Sequence, residues 1–258
     1  MAQTDHWNTR CFSESPIIRQ LHSLTAPFAD FETWPTLEDY QRAFKTRGLD
    51  ITPVPQSEHI RGFEEQYEPR VFLRGELQTR TENWHDFFNA MIWLGYPNTK
   101  KVLNKLHYSQ ASQRPMGSNR SRLENRITLF DECGALLISD RPQLLEQVRQ
   151  HQWQPLFIEH REELEAHLRC IIFGHAIYEK ALNPYIGLCC QCLLVDSGQL
   201  LEQVNNQQYA AVDKYLADFW AQQQPQSDIP YFPLPLLGLP GYWPRQDPAF
   251  YANKRYFR

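Results

Sequence analysis

The sequence lacks long uncharged apolar runs and has little net charge. No stretch approaches the roughly 18 uncharged residues that indicate a membrane-spanning helix. The N-terminal segment contains Asp5 and no apolar export segment. The formal net charge is −4, so no overall field attracts nucleic acid or membranes, and any such contact must be local. We therefore expect a cytoplasmic protein without membrane segments.

Common catalytic motifs are also missing. The chain contains no GxxxxGK(S/T), GxGxxG, HExxH or GxSxG segment, which leaves P-loop NTPases, dinucleotide-binding enzymes, zinc proteases and α/β-hydrolases without support. Three of the six cysteines crowd together, but a strand would point Cys189 away from Cys190 and Cys192. Structural zinc sites pair cysteines around a turn and need four ligands, so the cluster favours reduced, buried thiols.

The composition indicates a folded chain. Hydrophobic residues make up 42% and aromatic residues 13% of the sequence, which is enough apolar surface for a sizeable core. We expect one globular domain over residues 1–258, with an irregular N-terminal arm over residues 1–69. A proline-rich C-terminal tail over residues 230–258 should wrap the domain in extended form. No internal repeat is apparent.

Apolar spacing and turn residues predict the secondary structure. The predicted helices cover residues 36–46, 81–94, 161–182 and 207–223, with others starting near Pro97 and after Asp140. The predicted strands cover residues 155–158 and 187–195, and a β-hairpin joins Ile127–Phe130 to Ala135–Ile138 through a turn at Asp131–Gly134. The class is therefore α+β, with a small, partly antiparallel sheet that contains a β-hairpin and is packed by several helices.

His175 and Glu179 are the first candidate site residues. They fall on the apolar face of the predicted helix over residues 161–182, one turn apart. A buried carboxylate is costly unless it is paired or binds a metal. One interpretation is structural, with Glu179 meeting a donor inside the core. The other is that both residues line a cleft and bind a divalent metal or transfer protons.

Three further residues are candidate metal ligands. His85 and Asp86 lie on the predicted helix over residues 81–94, but they need not point the same way, so at most one should join a shared site. Asp131 lies in the predicted hairpin turn, which by itself accounts for an aspartate. Beside Glu132 at a strand end, it is also suited to binding a hard cation such as Mg²⁺ or Mn²⁺.

A basic segment lies between residues 98 and 126. It has seven basic residues and one acid, Glu124, giving a local charge of +6. Arg120, Arg122 and Arg126 are its candidate anion-binding residues, next to a polar loop predicted over residues 109–121. The same charges are also compatible with an ordinary solvated surface.

Several segments resemble a bacterial family catalogued only as a domain of unknown function, family 3025 of that series. The segments are FLRGELQTRTENWHDFFNAMIWLGYPNTK, TLFDECG, FGHAIYEKALNPY, PLPLLGLPGYW and the closing FYANKRYFR. The resemblance covers most of the chain from Phe72 to Arg258. It implies a bacterial cytoplasmic protein of one domain and assigns no activity to any residue.

Two functional hypotheses follow. In the first, the protein is a metal-dependent hydrolase acting on a phosphate-containing substrate. His175 and Glu179, joined by His85 or by Asp86 and Asp131, hold the ion, and the arginines meet the substrate's charge. In the second, the protein is a non-enzymatic module that binds an anionic ligand, nucleic acid or protein through the basic loop.

Overall fold

The computed structural model of the protein describes residues 6–57, 62–114 and 118–258. In chain order, its α-helices are α1 (Cys11–Glu14), α2 (His22–Thr25), α3 (Leu37–Thr46), α4 (Tyr67–Arg74), α5 (Trp84–Gly95), α6 (Pro97–Gln113), α7 (Arg122–Cys133), α8 (Pro142–Arg149), α9 (Arg161–His167), α10 (His175–Lys180), α11 (Gly198–Asn205), α12 (Tyr209–Ala221) and α13 (Pro248–Tyr251). Its strands are β1 (Thr52–Pro55), β2 (Glu76–Thr79), β3 (Gly134–Ser139), β4 (Leu168–Ile172), β5 (Cys189–Asp196) and β6 (Phe232–Pro235). The α+β class is confirmed.

The chain forms two compact units. The first unit contains residues 1–12, 21–128 and 213–227, and the second contains residues 13–20, 129–212 and 228–258. The expectation of a single domain stays a prediction. Among the residues described, none of the helices has the length and apolar character that crossing a membrane requires.

In the first unit, α5 is buried on nearly all sides. Asn83 caps it by accepting a hydrogen bond from the backbone N–H of Asp86 at 3.0 Å. Rings from α5 and the N-terminal segment pack together, with Trp7 stacked on Trp84 at a centroid distance of 4.9 Å. The core of this unit is therefore largely aromatic, and β1 and β2 pair in parallel beside it.

Asp213 joins α12 to the start of α6 within the first unit. Its carboxylate accepts from the backbone N–H groups of Asn98 and Thr99 at 3.1 and 2.8 Å. It also accepts from the Asn98 amide at 2.9 Å and the Thr99 hydroxyl at 2.7 Å. No preceding side chain caps α6. The side chain of Asp213, from a helix distant in sequence, thus satisfies the first N–H groups of α6 instead.

The second unit is built on a four-stranded sheet in the order β4-β3-β5-β6. The inner strands β3 and β5 are parallel, and each outer strand is antiparallel to its inner neighbour. Every residue of β3 is buried, as expected for a central strand covered on both faces. The outer strand β6 carries Pro233 and Pro235, which lack the N–H that a central strand would need.

The sheet is made of two similar halves. Each inner strand is followed by a helix, and the hexapeptide QLLEQV occurs on both helices, at residues 143–148 and 199–204. Two residues past the end of each helix lies a residue with positive φ, His151 at 54° and Gln207 at 58°. The expectation that the chain has no internal repeat is therefore wrong: it contains a repeated strand–helix module.

Two predicted elements differ from the structure near the candidate site. The predicted hairpin is wrong, because Arg122–Cys133 is the single helix α7 and leads directly into β3. Leu123, Ile127 and Phe130 are fully buried, and their spacing is that of a helix face. The predicted helix over residues 161–182 is also wrong, because residues 168–172 form β4 between α9 and α10.

Other boundaries were predicted with mixed success. The helix over residues 36–46 with Thr36 as N-cap, the helix starting at Pro97, the strand near 187–195 and the helix near 207–223 are confirmed. The strand predicted at 155–158 is wrong, since Pro155–Glu159 forms a π-helix. The polar loop predicted at 109–121 begins later, because α6 continues to Gln113, and residues 115–117 lie outside the described part of the chain.

Candidate metal centre

Two segments of the second unit meet at one end of its sheet, the junction of α7 with β3 and the link from β4 to α10. The backbone N–H groups of Phe173 and Gly174 both donate to the carbonyl of Gly134, at 3.0 and 2.8 Å. A Cβ atom on Gly174 would lie 2.5 Å from backbone atoms of Glu132 and Cys133. Only glycine allows this approach, and it holds the next residue, His175, against the end of α7.

His175 lies between two carboxylates. Its Nδ1 atom is 3.7 Å from Oδ2 of Asp131, and its Nε2 atom is 3.8 Å from Oε1 of Glu132. The His175 side chain is only 5% exposed, whereas Asp131 is 18% and Glu132 39% exposed. Both distances exceed a hydrogen bond. The site is therefore buried at its imidazole and open to solvent at Glu132.

This arrangement resembles the way proteins hold metal-binding histidines. One ring nitrogen of such a histidine binds the ion, and the other donates its N–H to a carboxylate that orients the ring. Glu132 and His175 offer ligand atoms within 4.8 Å of one another, which suits a shared ion, while Asp131 faces the remaining nitrogen. Imidazole and carboxylate ligands together favour zinc, manganese or iron. Without an ion, the same groups are suited to proton transfer.

Helix α10 supplies the remaining polar residues near His175. Because α10 begins at His175, Glu179 follows one turn later on the same side of the helix and is half-buried. At the end of α10, Nζ of Lys180 is 3.7 Å from Sγ of Cys133. Burial raises the pKa of the Cys133 thiol, and Lys180 only partly opposes this shift. Without a bound metal, Cys133 therefore stays protonated at neutral pH.

The second half of the sheet gives an internal comparison for this site. The two QLLEQV segments are 56 residues apart, which pairs Asp131 and Glu132 with Gly187 and Leu188. These two positions lie in a turn before β5, where the first half has the end of helix α7. The two acids are therefore specific to the first half of the sheet.

The predicted ligands His85 and Asp86 lie on α5 in the first unit. Asp86 accepts hydrogen bonds from the backbone N–H, Nε and Nη2 of Arg80, at 2.7, 2.9 and 2.9 Å. Because of this bidentate pair, the Asp86 carboxylate already has a structural partner within its own unit. Both residues stay predictions from the sequence as metal ligands.

The basic segment is less uniform than its sequence suggests. Lys100 is buried and donates to Oδ1 of Asn89 at 3.0 Å, and Arg114 pairs with the buried Glu124 at 2.7 Å. Lys100 is therefore part of the first unit's interior, and the half-buried Arg114 is already paired there. Arg120 and Arg122 are exposed and Arg126 is half-buried, so these three still form a candidate anion surface.

Glu132 is a candidate metal ligand that the sequence alone did not single out. In a hairpin turn it would be a second solvent-facing acid beside Asp131. In the structure both residues occupy the last turn of α7, where Asp131 faces one ring nitrogen of His175 and Glu132 the other. The signal that could have identified it is the helical spacing of the apolar residues that precede it.

Comparisons with known proteins give a family but no activity. A family model described as "Protein of unknown function (DUF3025)" matches residues 51–258. No curated protein and no solved structure matches the chain. The matched residues include α7, β3, β4 and α10, which together form the candidate centre.

Proposed function

We propose that this chain, which belongs to the DUF3025 family of proteins of unknown function, is a metal-dependent hydrolase acting on a phosphate-containing substrate. One observation carries the proposal: the buried imidazole of His175 faces a carboxylate at each ring nitrogen. A buried ionisable group held close to groups of opposite charge is a common mark of a functional site.

Each residue has a specific role in the proposal. Nε2 of His175 and the carboxylate of Glu132 bind a divalent ion, and Asp131 orients the imidazole through Nδ1. A bound ion of this kind supplies an acidified water molecule at neutral pH. Glu179, one turn along α10, is the candidate general base that accepts a proton from the attacking water.

The arginines are the basis for the substrate class. Arg120 and Arg122 are exposed on a segment with a local excess of positive charge. Arginine pairs with phosphate oxygens through two parallel N–H groups. We therefore propose a phosphate-containing substrate class, with Arg120, Arg122 and Arg126 as the candidate anion-binding residues of the first unit.

Metal binding is the first test. At an ion concentration of 100 times Kd, binding adds about 2.7 kcal/mol to the free energy of unfolding. Mn²⁺, Zn²⁺ or Mg²⁺ should therefore raise the melting temperature of the wild type. Glu132→Gln should abolish this shift, and because Glu132 is 39% exposed, it should change metal-free stability by less than about 0.5 kcal/mol. The control Glu202→Gln, on exposed α11 surface, should keep the full shift.

Hydrolysis is the second test. With the ion that raises the melting temperature, the wild type should hydrolyse p-nitrophenyl phosphate or its diester. Asp131→Asn should lower this activity by about 10- to 100-fold, while Glu132→Gln and Glu179→Gln remove it. A wild type that no divalent ion stabilises, or a Glu132→Gln protein that still responds to metal, contradicts the proposed centre. Metal binding without hydrolysis contradicts the enzymatic part only.

A second function rests on the exposed arginines alone. Here the protein is a non-enzymatic module that binds an anionic ligand or nucleic acid, and His175 is structural. Binding to nucleic acid or heparin should then weaken steeply as salt increases, because association releases counterions. Changing both Arg120 and Arg122 to Ala should weaken binding without lowering the melting temperature. Absence of salt-dependent binding by the wild type excludes this function.

A further inference from the structure

The first unit contains an apolar cavity of about 250 Å³. Its walls come from α2, α3, the end of α5 and the turn after α2, and they include Leu24, Phe28, Phe31, Ala43 and Leu94. The rings of Phe28 and Phe31 lie edge to face, with centroids 5.7 Å apart. Engineered apolar cavities of roughly 150 Å³ already bind benzene, so this one has room for a single aromatic ring and a short chain.

The mouth of the cavity carries charged groups from α3 and its C-terminal end. Asp39, Arg42 and Arg47 line it. The Asp39 carboxylate accepts from the N–H and hydroxyl of Thr36, at 3.0 and 2.8 Å, and from Arg42 at 3.1 Å. Both oxygens of the Asp39 carboxylate are thus hydrogen-bonded, and its charge neutralises that of Arg42. Among the described residues, no side chain pairs with the guanidinium of Arg47.

The remaining charge at the mouth is therefore positive. An apolar interior beside one uncompensated guanidinium complements a molecule with an apolar body and an anionic end. The two phenylalanine rings favour an aromatic body, because ring pairs gain energy in edge-to-face contacts. We infer that this cavity binds a small aromatic carboxylate, with the ring against Phe28 and Phe31 and the carboxylate at Arg47.

Three matched probes test the inference by calorimetric titration of the full chain. They are 3-phenylpropanoate, 3-phenylpropan-1-ol and 3-phenylpropylammonium, which share a ring and a chain length and differ in charge. The carboxylate should bind about two- to fivefold more tightly than the alcohol, the range of a partly exposed ion pair. The ammonium should bind least. In wild-type amide NMR spectra, the shifts should be confined to residues 24–31 and 39–47 and the end of α5.

Two variants and one control separate the parts of the inference. Arg47→Gln should bring the carboxylate-to-alcohol ratio to about one, whereas Lys45→Gln, exposed on α3 and outside the cavity, should leave it unchanged. Ala43→Leu should weaken all three probes by filling the cavity. Absence of carboxylate binding, equal binding of all three probes or shifts elsewhere in the spectrum would each overturn the inference. The NMR result stands even if Ala43→Leu fails to fold.

Discussion

Asp213 and His175 are both buried polar residues, yet their surroundings differ. Four donors at the start of α6 surround the Asp213 carboxylate within hydrogen-bond distance. His175 faces Asp131 and Glu132 at 3.7 and 3.8 Å, beyond hydrogen-bond distance. The first pattern stabilises a helix end and needs no ligand. The second leaves room for an ion between a nitrogen and an oxygen.

Changing Asp213 to Ala should lower the free energy of unfolding by roughly 3 kcal/mol. The change leaves the buried N–H groups of α6 without an acceptor, and each unsatisfied buried group costs about 1–3 kcal/mol. Urea unfolding measures the loss. Asp218→Ala on the same helix is the control, because Asp218 is 60% exposed and pairs with Lys214 on the helix surface, so its loss should stay near zero. Equal effects of the two changes would contradict the capping role of Asp213.

Thr36→Ala should destabilise the protein in a pH-dependent way. Although burial acts to raise the pKa of Asp39, hydrogen bonds from Thr36 and the charge of Arg42 hold it below its usual value. Losing the cap should cost about 1 kcal/mol at neutral pH. The Asp39 contribution is present above the unfolded-state pKa and disappears as pH falls through the lowered folded-state pKa. The difference between variant and wild type should therefore shrink in acid.

Carbon NMR titration of the Asp39 carboxyl provides the direct check. The pKa of Asp39 should move upward in Thr36→Ala, toward the ordinary aspartate value. Thr36→Ser keeps the hydroxyl and is the matched control, so it should leave the pKa lowered. An unchanged pKa in Thr36→Ala would show that the backbone N–H of residue 36 and Arg42 hold the carboxylate in its charged form without the hydroxyl.

At the residue scale, sequence reasoning succeeded where the interaction is local. Thr36 was identifiable as an N-cap because its partner, Asp39, is three residues away. The role of Asp213 could not be predicted, because its partner Thr99 lies 114 residues away in the sequence. The candidate centre is an intermediate case. Its residue types were recognisable, but the approach of His175 to Glu132 depends on how α7 and β4 pack.

At the scale of elements, Gly174 determines how closely β4 and α10 approach the end of α7. A methyl group there would lie 2.5 Å from backbone atoms, which cannot rotate away as a side chain can. Gly174→Ala should therefore lower stability by about 1–3 kcal/mol through overpacking. It should also remove the metal-dependent rise in melting temperature, since the change separates His175 from Glu132.

Gly198→Ala is the matched control for that prediction. A Cβ atom at Gly198 would meet Asp140 at 3.5 Å, an ordinary contact, and alanine favours a helix more than glycine does. The change should be neutral or slightly stabilising, with the metal response intact. A Gly174→Ala protein that matches it in both measurements would mean that the close approach is unnecessary for the centre.

The two incorrect elements near the candidate site share a physical cause. Leu164, Leu168 and Ile171 are spaced like a helix face, but Leu168, Cys170 and Ile172 also alternate as in a strand. Short apolar segments satisfy both patterns, and pairing with β3 selects the strand. The error in α7 has the opposite direction. The apolar run Ile127–Phe130 was predicted as one strand of a hairpin, but it is helical. Tertiary contacts determine the secondary structure of both segments, which local propensity alone does not specify.

At the scale of the whole molecule, each unit is assembled from three separate chain segments. Gln20 illustrates the consequence for the second unit. Its amide donates to the carbonyl of Cys170 at 2.9 Å and accepts from the N–H of Ile172 at 3.1 Å. A side chain from near the N-terminus thus satisfies the free edge of β4, where an unpaired strand would otherwise expose its backbone.

Gln20→Ala should lower stability by about 2 kcal/mol, because it removes partners from two backbone groups of β4. Amide hydrogen exchange at Ile172 should accelerate more than exchange at Leu137 on the central strand β3. Unchanged exchange at Ile172 in Gln20→Ala would mean that this edge is protected by other groups.

Interleaved segments also set the order of events while the protein is being made. The first unit is complete only after residues 213–227 have been added, and the second only after β6 and the segment beyond it. Domains made of one continuous stretch can fold in turn as they emerge from the ribosome. Here both units have to wait for residues beyond position 212. The nascent chain therefore keeps the aromatic core of α5 and the apolar strand β3 exposed for most of translation, so chaperones that cover apolar segments should determine its yield.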